Sequence, residues 1–148
     1  LFEGTNLNEG RGTDWPFKII GAPWLDAEAI IESLDREDCE GCAIEATTYV
    51  PRAIAGKAAH PKYLDEPCKG IRMRVEDAIR IRPFRLAIAL IAAIRRHHAA
   101  FALTDWFDTL AGTSQVRRSI EAGKTPRQIV AEYEAALVRF DSRRPRIY

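Results

Sequence analysis

Excess charge of either sign, methionine, paired cysteines and long apolar runs are all scarce in this chain of 148 residues. Its 22 Lys and Arg stand against 21 Asp and Glu, a formal net charge of +1. A balance this close to zero gives no electrostatic footing to a polyanion or to an anionic membrane surface, so neither nucleic acid nor membrane is an expected partner. The longest apolar run, Leu86 to Ile94, is far too short to cross a bilayer. Met73 is the only methionine and the chain opens on Leu1, so it reads as a cut or processed product that cannot testify about its parent's targeting. Of the three cysteines, Cys39 and Cys42 form a C-x-x-C. A structural zinc site needs a second pair of ligands at comparable spacing, and Cys68, His60 and the adjacent His97 and His98 do not supply one. No metal and no cofactor are expected. A bridge between Cys42 and Cys68 stays open for a periplasmic parent.

What the chain does have is an unusual opening, LFEGTNLNEGRGTDWPFKIIGAPW, from Leu1 to Trp24. It lacks helical or strand periodicity until Phe17 to Ile20. Gly4, Gly10, Gly12 and Gly21 alternate with the polar groups of Glu3, Asn6, Arg11 and Thr13 and with aromatic anchors at Phe2, Trp15, Phe17 and Trp24. Glycine permits positive φ and close approach to the main chain. Fraying tails are not built from Trp and Phe. The stretch therefore reads as a long structured loop with a function.

Beyond it, Asp26 is the expected N-cap of a helix running to about Arg36, with Ala27, Ile30, Ile31 and Leu34 at helical spacing. Cys42 to Val50 is rich in β-branched and aromatic residues and reads as a strand ended by Pro51. Arg52 to Pro67 reads as an irregular connection in which Lys57, His60, Lys62 and Tyr63 are candidates to face a ligand. Gly70 to Val75 sets Ile71, Met73 and Val75 against Arg72, Arg74 and Glu76, a second strand with one buried face, pairing antiparallel with the first. Pro83 opens a helix so apolar from Phe84 to Ile94 that it must be covered on most sides, and Arg95, Arg96, His97 and His98 close it at its negative end. Thr104 or Asp105, Thr113 or Ser114, and Thr125 before Pro126 start three more helices; Gly112 and Gly123 stop the first two. Ile129, Val130, Tyr133, Ala136, Leu137 and Phe140 form the last helix's apolar stripe. The expected fold is a single α+β domain over residues 1–148: a small, mainly antiparallel sheet with several helices packed on it, and the long N-terminal loop.

EGTN, GRGT, PF and GAPW, in that order and at tight spacing between Glu3 and Trp24, resemble the start of the C-terminal domain of the exo-β-N-acetylmuramidases, bacterial glycoside hydrolases of peptidoglycan recycling. Weaker pieces continue the likeness to the chain's end: Tyr49 to Pro51, Lys62-Tyr63, Cys68-Lys69-Gly70, Asp108 to Gly112, Ile120 with Gly123, and Phe140 with Arg143. The resemblance implies a parent that releases N-acetylmuramic acid from non-reducing ends of peptidoglycan fragments and works in the periplasm or outside the cell. It also implies a preceding Rossmann-like domain that carries the principal acid and is not among these residues, with the active cleft between the two halves. The isolated domain would then be an inactive auxiliary piece whose partners are that domain and a muramic-acid-containing sugar.

Glycoside hydrolysis needs an acid for the departing oxygen and a base or nucleophile opposite it. Glu3 is the carboxylate embedded among the motifs of the opening loop. On residues alone it reads as an acid, a base, a hydroxyl-binding group, a salt-bridge partner of Arg11, or an anchor bound to backbone amides; with the resemblance it is assigned to sugar binding, and the catalytic residues stay unassigned. N-Acetylmuramic acid differs from N-acetylglucosamine by a lactyl carboxylate, and a guanidinium fork binds a carboxylate through two parallel hydrogen bonds. Arg11 is the expected reader of that carboxylate, with Asn6 and Thr13 on hydroxyl or acetamido groups and Trp24 or Trp15 stacked on a sugar face. Each Trp equally suits a plainer duty, pinning the loop to the core. A non-catalytic carbohydrate-binding or subunit-docking module is the alternative. A nucleic-acid site built on Arg72, Arg74, Arg80, Arg82, Arg85 and the arginines near Tyr148 is weaker than a solvated arginine face.

Overall fold

The computed structural model describes residues 1–143. The arginines near Tyr148 lie outside the described residues. Three strands form one sheet: β1 (Ile19–Ala22), β2 (Cys42–Tyr49) and β3 (Cys68–Val75), in the order β1-β3-β2 and antiparallel throughout. Helices pack on this small sheet, which is the α+β architecture that the residue pattern implies.

In the β2–β3 ladder Tyr49 faces Cys68 and Cys42 faces Val75, so Cys42 and Cys68 sit at opposite ends of the hairpin. At about 3.3 Å per residue along a strand, the separation far exceeds the reach of a disulfide. All three cysteines are free thiols. The Cys42–Cys68 bridge left open above is therefore excluded by strand register. Val75 also departs from expectation, being 58% exposed. Ile71 enters the core and Met73 packs against it, but the covering helices do not reach the strand's last residue.

The helix α1 (Ala27–Glu32) is capped as expected, Asp26 Oδ1 accepting from Ala29 N at 3.1 Å. It stops short of Arg36 because the Ser33 hydroxyl turns back to the Ile30 carbonyl, and a 3-10 turn over Arg36–Cys39 follows. α2 (Pro83–His97) is apolar on most sides from Leu86 to Ile94 because two cores meet on it. Leu86, Leu90, Ala93 and Ile94 pack toward the sheet and α1, while Ile88 and Ile91 pack with Phe107, Val116, Ile120 and Ile129. Those partners come from α3 (Trp106–Ala111), α4 (Ser114–Glu121) and α5 (Pro126–Arg143). Thr113 and Thr125 accept from Gln115 N and Gln128 N as caps, and Gly112 ends α3 at φ +71. Arg95 leaves the end of α2 to donate to the carbonyls of Ile120 and Glu121, so one of the expected terminal cations closes α4. The α5 stripe is buried at Ile129 only. Beyond the Phe84–Tyr133 stack, with centroids 4.3 Å apart, Leu137 and Phe140 are 45% and 59% exposed.

Against the outer edge of β1 lies the N-terminal segment. Asn8 N donates to Gly21 O at 2.8 Å and Gly21 N to Asn8 O at 2.9 Å, covering an edge that would otherwise present unpaired main-chain groups. Asn6 N likewise donates to Ala102 O, and Thr104 N to Gly4 O. The opening is tied to the body along its length.

Candidate functional site

Asn8 is the knot of the opening loop. It is fully buried, and its amide donates to the carbonyls of Arg11 and Lys62 at 3.1 and 3.0 Å. Its Oδ1 accepts from Gly10 N at 2.8 Å and from the Tyr49 hydroxyl at 3.1 Å. Both ends of the amide are satisfied, as a buried side chain of this kind requires. Burial pushes the Tyr49 hydroxyl far above its ordinary pKa, so it acts here as a neutral donor. These bonds hold residues 8–13 in one shape.

Gly10 and Gly12 have φ of +82 and +84, in the left-handed region that favours glycine. The space beside them is filled by protein. A Cβ on Gly12 would stand 2.6 Å from the Arg52 carbonyl, and one on Gly10 2.5 Å from the Trp15 carbonyl. These glycines let the loop approach its own body; they do not open a channel for a ligand.

The loop's charges form a chain around Glu9. That carboxylate is only 6% exposed and engages two cations: Oε1 meets Arg11 Nε at 3.0 Å and Oε2 meets Lys62 Nζ at 3.1 Å. Lys62 also donates to the carbonyls of Glu3 and Leu7 at 3.3 and 2.9 Å, which occupies all three ammonium donors. Arg11, 43% exposed, reaches Glu3 Oε1 through Nη2 at 2.7 Å, and Glu3 is itself 35% exposed. The Glu3 hydrogen bond above all raises Arg11 above its ordinary pKa, partial burial acting against it. Arg11 is permanently charged, with one edge of its fork tied down and the side chain open to solvent. The guanidinium also lies over the Phe17 ring, 5.3 Å from its centroid, and Arg72 lies 4.5 Å over Trp15. Phe17 and Trp15 are 57% and 39% exposed, and Phe17 takes φ +63, a strained setting for an aromatic residue held by its amide's 2.7 Å bond to the Glu9 carbonyl. Arg11 thus joins Glu3 to the Phe17 ring, and Arg72 of β3 covers Trp15, two residues before Phe17.

The remaining sequence-derived candidates are placed differently. Asn6 donates to Ala100 O at 2.7 Å and accepts from Ala102 N at 2.9 Å, so its amide ties the loop to the segment after α2. Thr13 donates to Gly10 O at 2.7 Å and accepts from Trp15 N at 3.0 Å, closing the turn. The Trp24 indole donates to the Tyr63 hydroxyl at 3.2 Å, and its ring tilts against His98 at 5.4 Å between centroids. Tyr63 in turn donates to Asn6 O at 2.8 Å. Of the candidates in the 52–67 connection, Lys62 and Tyr63 join the loop through these bonds. Glu9 is the residue that sequence reading missed: nothing in NEGRG marks it as buried, because the cation that buries it lies in another segment.

Among the described residues no group of three His, Cys, Asp or Glu side chains is placed to hold a metal ion, and no helix is long and apolar enough to cross a membrane. A cleft of ≈ 420 Å³ lies elsewhere, between the start of α2 and α5, lined by Arg82, Phe84, Arg85, Tyr133 and Leu137 with Glu37 at its rim. Glu37 there takes Arg85 and Arg127 at 3.0 and 2.6 Å, so three of the charged groups of this cleft are engaged with one another. Arg11, 43% exposed, is not among the residues that line this cleft.

The whole chain, residues 1–148, matches the family described as exo-beta-N-acetylmuramidase NamZ, C-terminal. The peptidoglycan beta-N-acetylmuramidase NamZ of Bacillus subtilis (strain 168) is 31% identical over 147 residues, covering 97% of this chain and 34% of that protein. The chain thus spans about a third of the length of this curated relative. Two crystal structures of DUF1343 family proteins from Bacteroides fragilis NCTC 9343 share the fold. One aligns with a TM-score of 0.67 at 16% identity, covering 86% of this chain and 33% of its own; the other aligns at 0.63 and 27%, covering 95% and 35%.

Proposed function

The chain belongs to the exo-beta-N-acetylmuramidase NamZ C-terminal family, and from that membership we propose that it supplies one wall of the sugar cleft of a glycoside hydrolase acting on muramic-acid ends of peptidoglycan fragments. The observation that carries this reading is the setting of Arg11, a half-exposed guanidinium oriented from behind by the buried carboxylate of Glu9. A fork fixed at one edge is pre-organised to take a ligand carboxylate, and the lactyl group is what distinguishes muramic acid from glucosamine. In this proposal Arg11 reads the lactyl carboxylate and Glu3 stands beside it on sugar hydroxyls. The exposed faces of Trp15 and Phe17 offer apolar ground for the ring, and Trp24 lies further along the same loop. Asn6 and Thr13, whose hydrogen bonds stay within the protein, keep the wall in shape.

The acid that protonates the leaving oxygen belongs, on this reading, to a Rossmann-like domain forming the opposite wall, in a parent that works in the periplasm or outside the cell. A wall that needs a counterpart fits a domain whose Arg11 is half exposed and whose curated relative is about three times as long. The test is Arg11→Lys in the complete enzyme. Lysine keeps the charge and removes the planar fork, so turnover of muramic substrates should fall roughly 10- to 100-fold while glucosamine analogues are little affected. Equal losses on both substrates would overturn the assignment.

A further inference from the structure

Arg11 is gripped by two carboxylates of unlike standing. Glu9 is sealed from water and shared with Lys62, so removing its partner would strand a buried charge. Glu3 is 35% exposed, and Arg11 is its only ion-pair partner among the described residues. Exposed pairs of this kind are weak and exchange readily, whereas the buried one is held. Glu3 Oε1 also sits on Nη2, one of the two terminal nitrogens from which a bidentate carboxylate takes its bonds.

We propose that Glu3 occupies the seat of the ligand's carboxylate: it fills Arg11 Nη2 in the empty site and gives way to the lactyl group when a muramic sugar arrives. The proposal rests on the reading of Arg11 given above and adds how the site discriminates. A muramic carboxylate replaces one anion on Arg11 with another, so the guanidinium stays paired. A glucosamine sugar brings no anion, so it cannot displace Glu3 and the fork stays closed to it. Once released, the Glu3 carboxylate is a pure acceptor beside the bound ring and is available to sugar hydroxyls.

The two carboxylates then have opposite signs of effect. In an NMR titration of the chain with N-acetylmuramic acid and with N-acetylglucosamine, Glu3→Gln, which removes the competing charge and keeps a side chain for sugar hydroxyls, should tighten muramic acid binding about two- to five-fold relative to glucosamine. Glu3→Ala should act in the same direction, and Glu9→Gln should weaken muramic acid binding. Arg11→Ala should abolish the preference between the two sugars. If the unsubstituted chain does not respond to muramic acid, or if Arg11→Ala leaves the preference intact, the reading of Arg11 fails and the exchange fails with it. If Arg11→Ala removes the preference but both Glu3 variants bind muramic acid no better than the unsubstituted chain, the exchange is overturned and the reading of Arg11 stands.

Discussion

Lys62 Nζ lies 3.1 Å from Glu9 Oε2, joining residues 53 positions apart, and with its other donors it reaches two carbonyls of the opening loop. This one ammonium ties the 52–67 connection to the N-terminal segment and keeps the Glu9 carboxylate paired inside the protein. Lys62→Met preserves the stem and deletes these bonds, leaving Glu9 with Arg11 alone. Urea unfolding should show a loss of about 2–4 kcal/mol, since a buried carboxylate loses a partner and two carbonyls lose their donor. The exposed Arg52–Asp65 pair, whose side chains are 65% and 60% exposed, is the contrast: Arg52→Met should cost under about 1 kcal/mol. Similar losses for both would contradict the central place given to Lys62.

The thiols supply a second prediction. Burial pushes Cys68 up to about 11, and burial likewise raises Cys39 and Cys42. At neutral pH all three should be protonated and slow toward iodoacetamide in the folded protein. Unfolding without reductant should then yield three adducts by mass spectrometry, because strand register keeps Cys42 and Cys68 apart. Recovery of a Cys42–Cys68 disulfide from the native protein would contradict the hairpin register.

Acid provides a third. Asp108, hydrogen-bonded to Arg117, and Glu132, bonded to Lys124, both titrate below their ordinary values. Depressed carboxylate pKa values contribute stability that is complete above the ordinary carboxylate range and is lost as pH falls through the folded-state values. Unfolding free energy should therefore decline on acidification below about pH 4.5, the ordinary glutamate value. Arg117→Gln should soften that decline by removing the charge that holds Asp108 down. An unchanged acid limb in the variant would contradict the role of the pair.

Local chemistry was well written into the sequence. Asp26, Thr113 and Thr125 announce helix starts by residue type, and each makes its capping bond. The apolar run from Leu86 to Ile94 marks α2 as covered on more than one side, as its place between two cores bears out. Relations between distant segments were not legible. Glu9 looks like any loop glutamate until Lys62 arrives, and nothing beside Asn6 in the sequence announces that residues 100 and 102 bond its amide. Gly12 suggests room for a ligand, yet the room is filled by Arg52. The stripe on α5 suggests a buried face, but its neighbours give out after Tyr133. In each case a side chain's partner is set by tertiary packing, which spacing within one segment does not encode.

On the proposal made here, a muramic sugar meets this domain at the Arg11 surface. This is tested most directly by following backbone amide shifts of the labelled chain as N-acetylmuramic acid is added. Perturbations should concentrate at residues 9–13, Phe17 and Lys62. Perturbations confined to the cleft between α2 and α5, around Phe84 and Tyr133, or a spectrum that does not change, would contradict it.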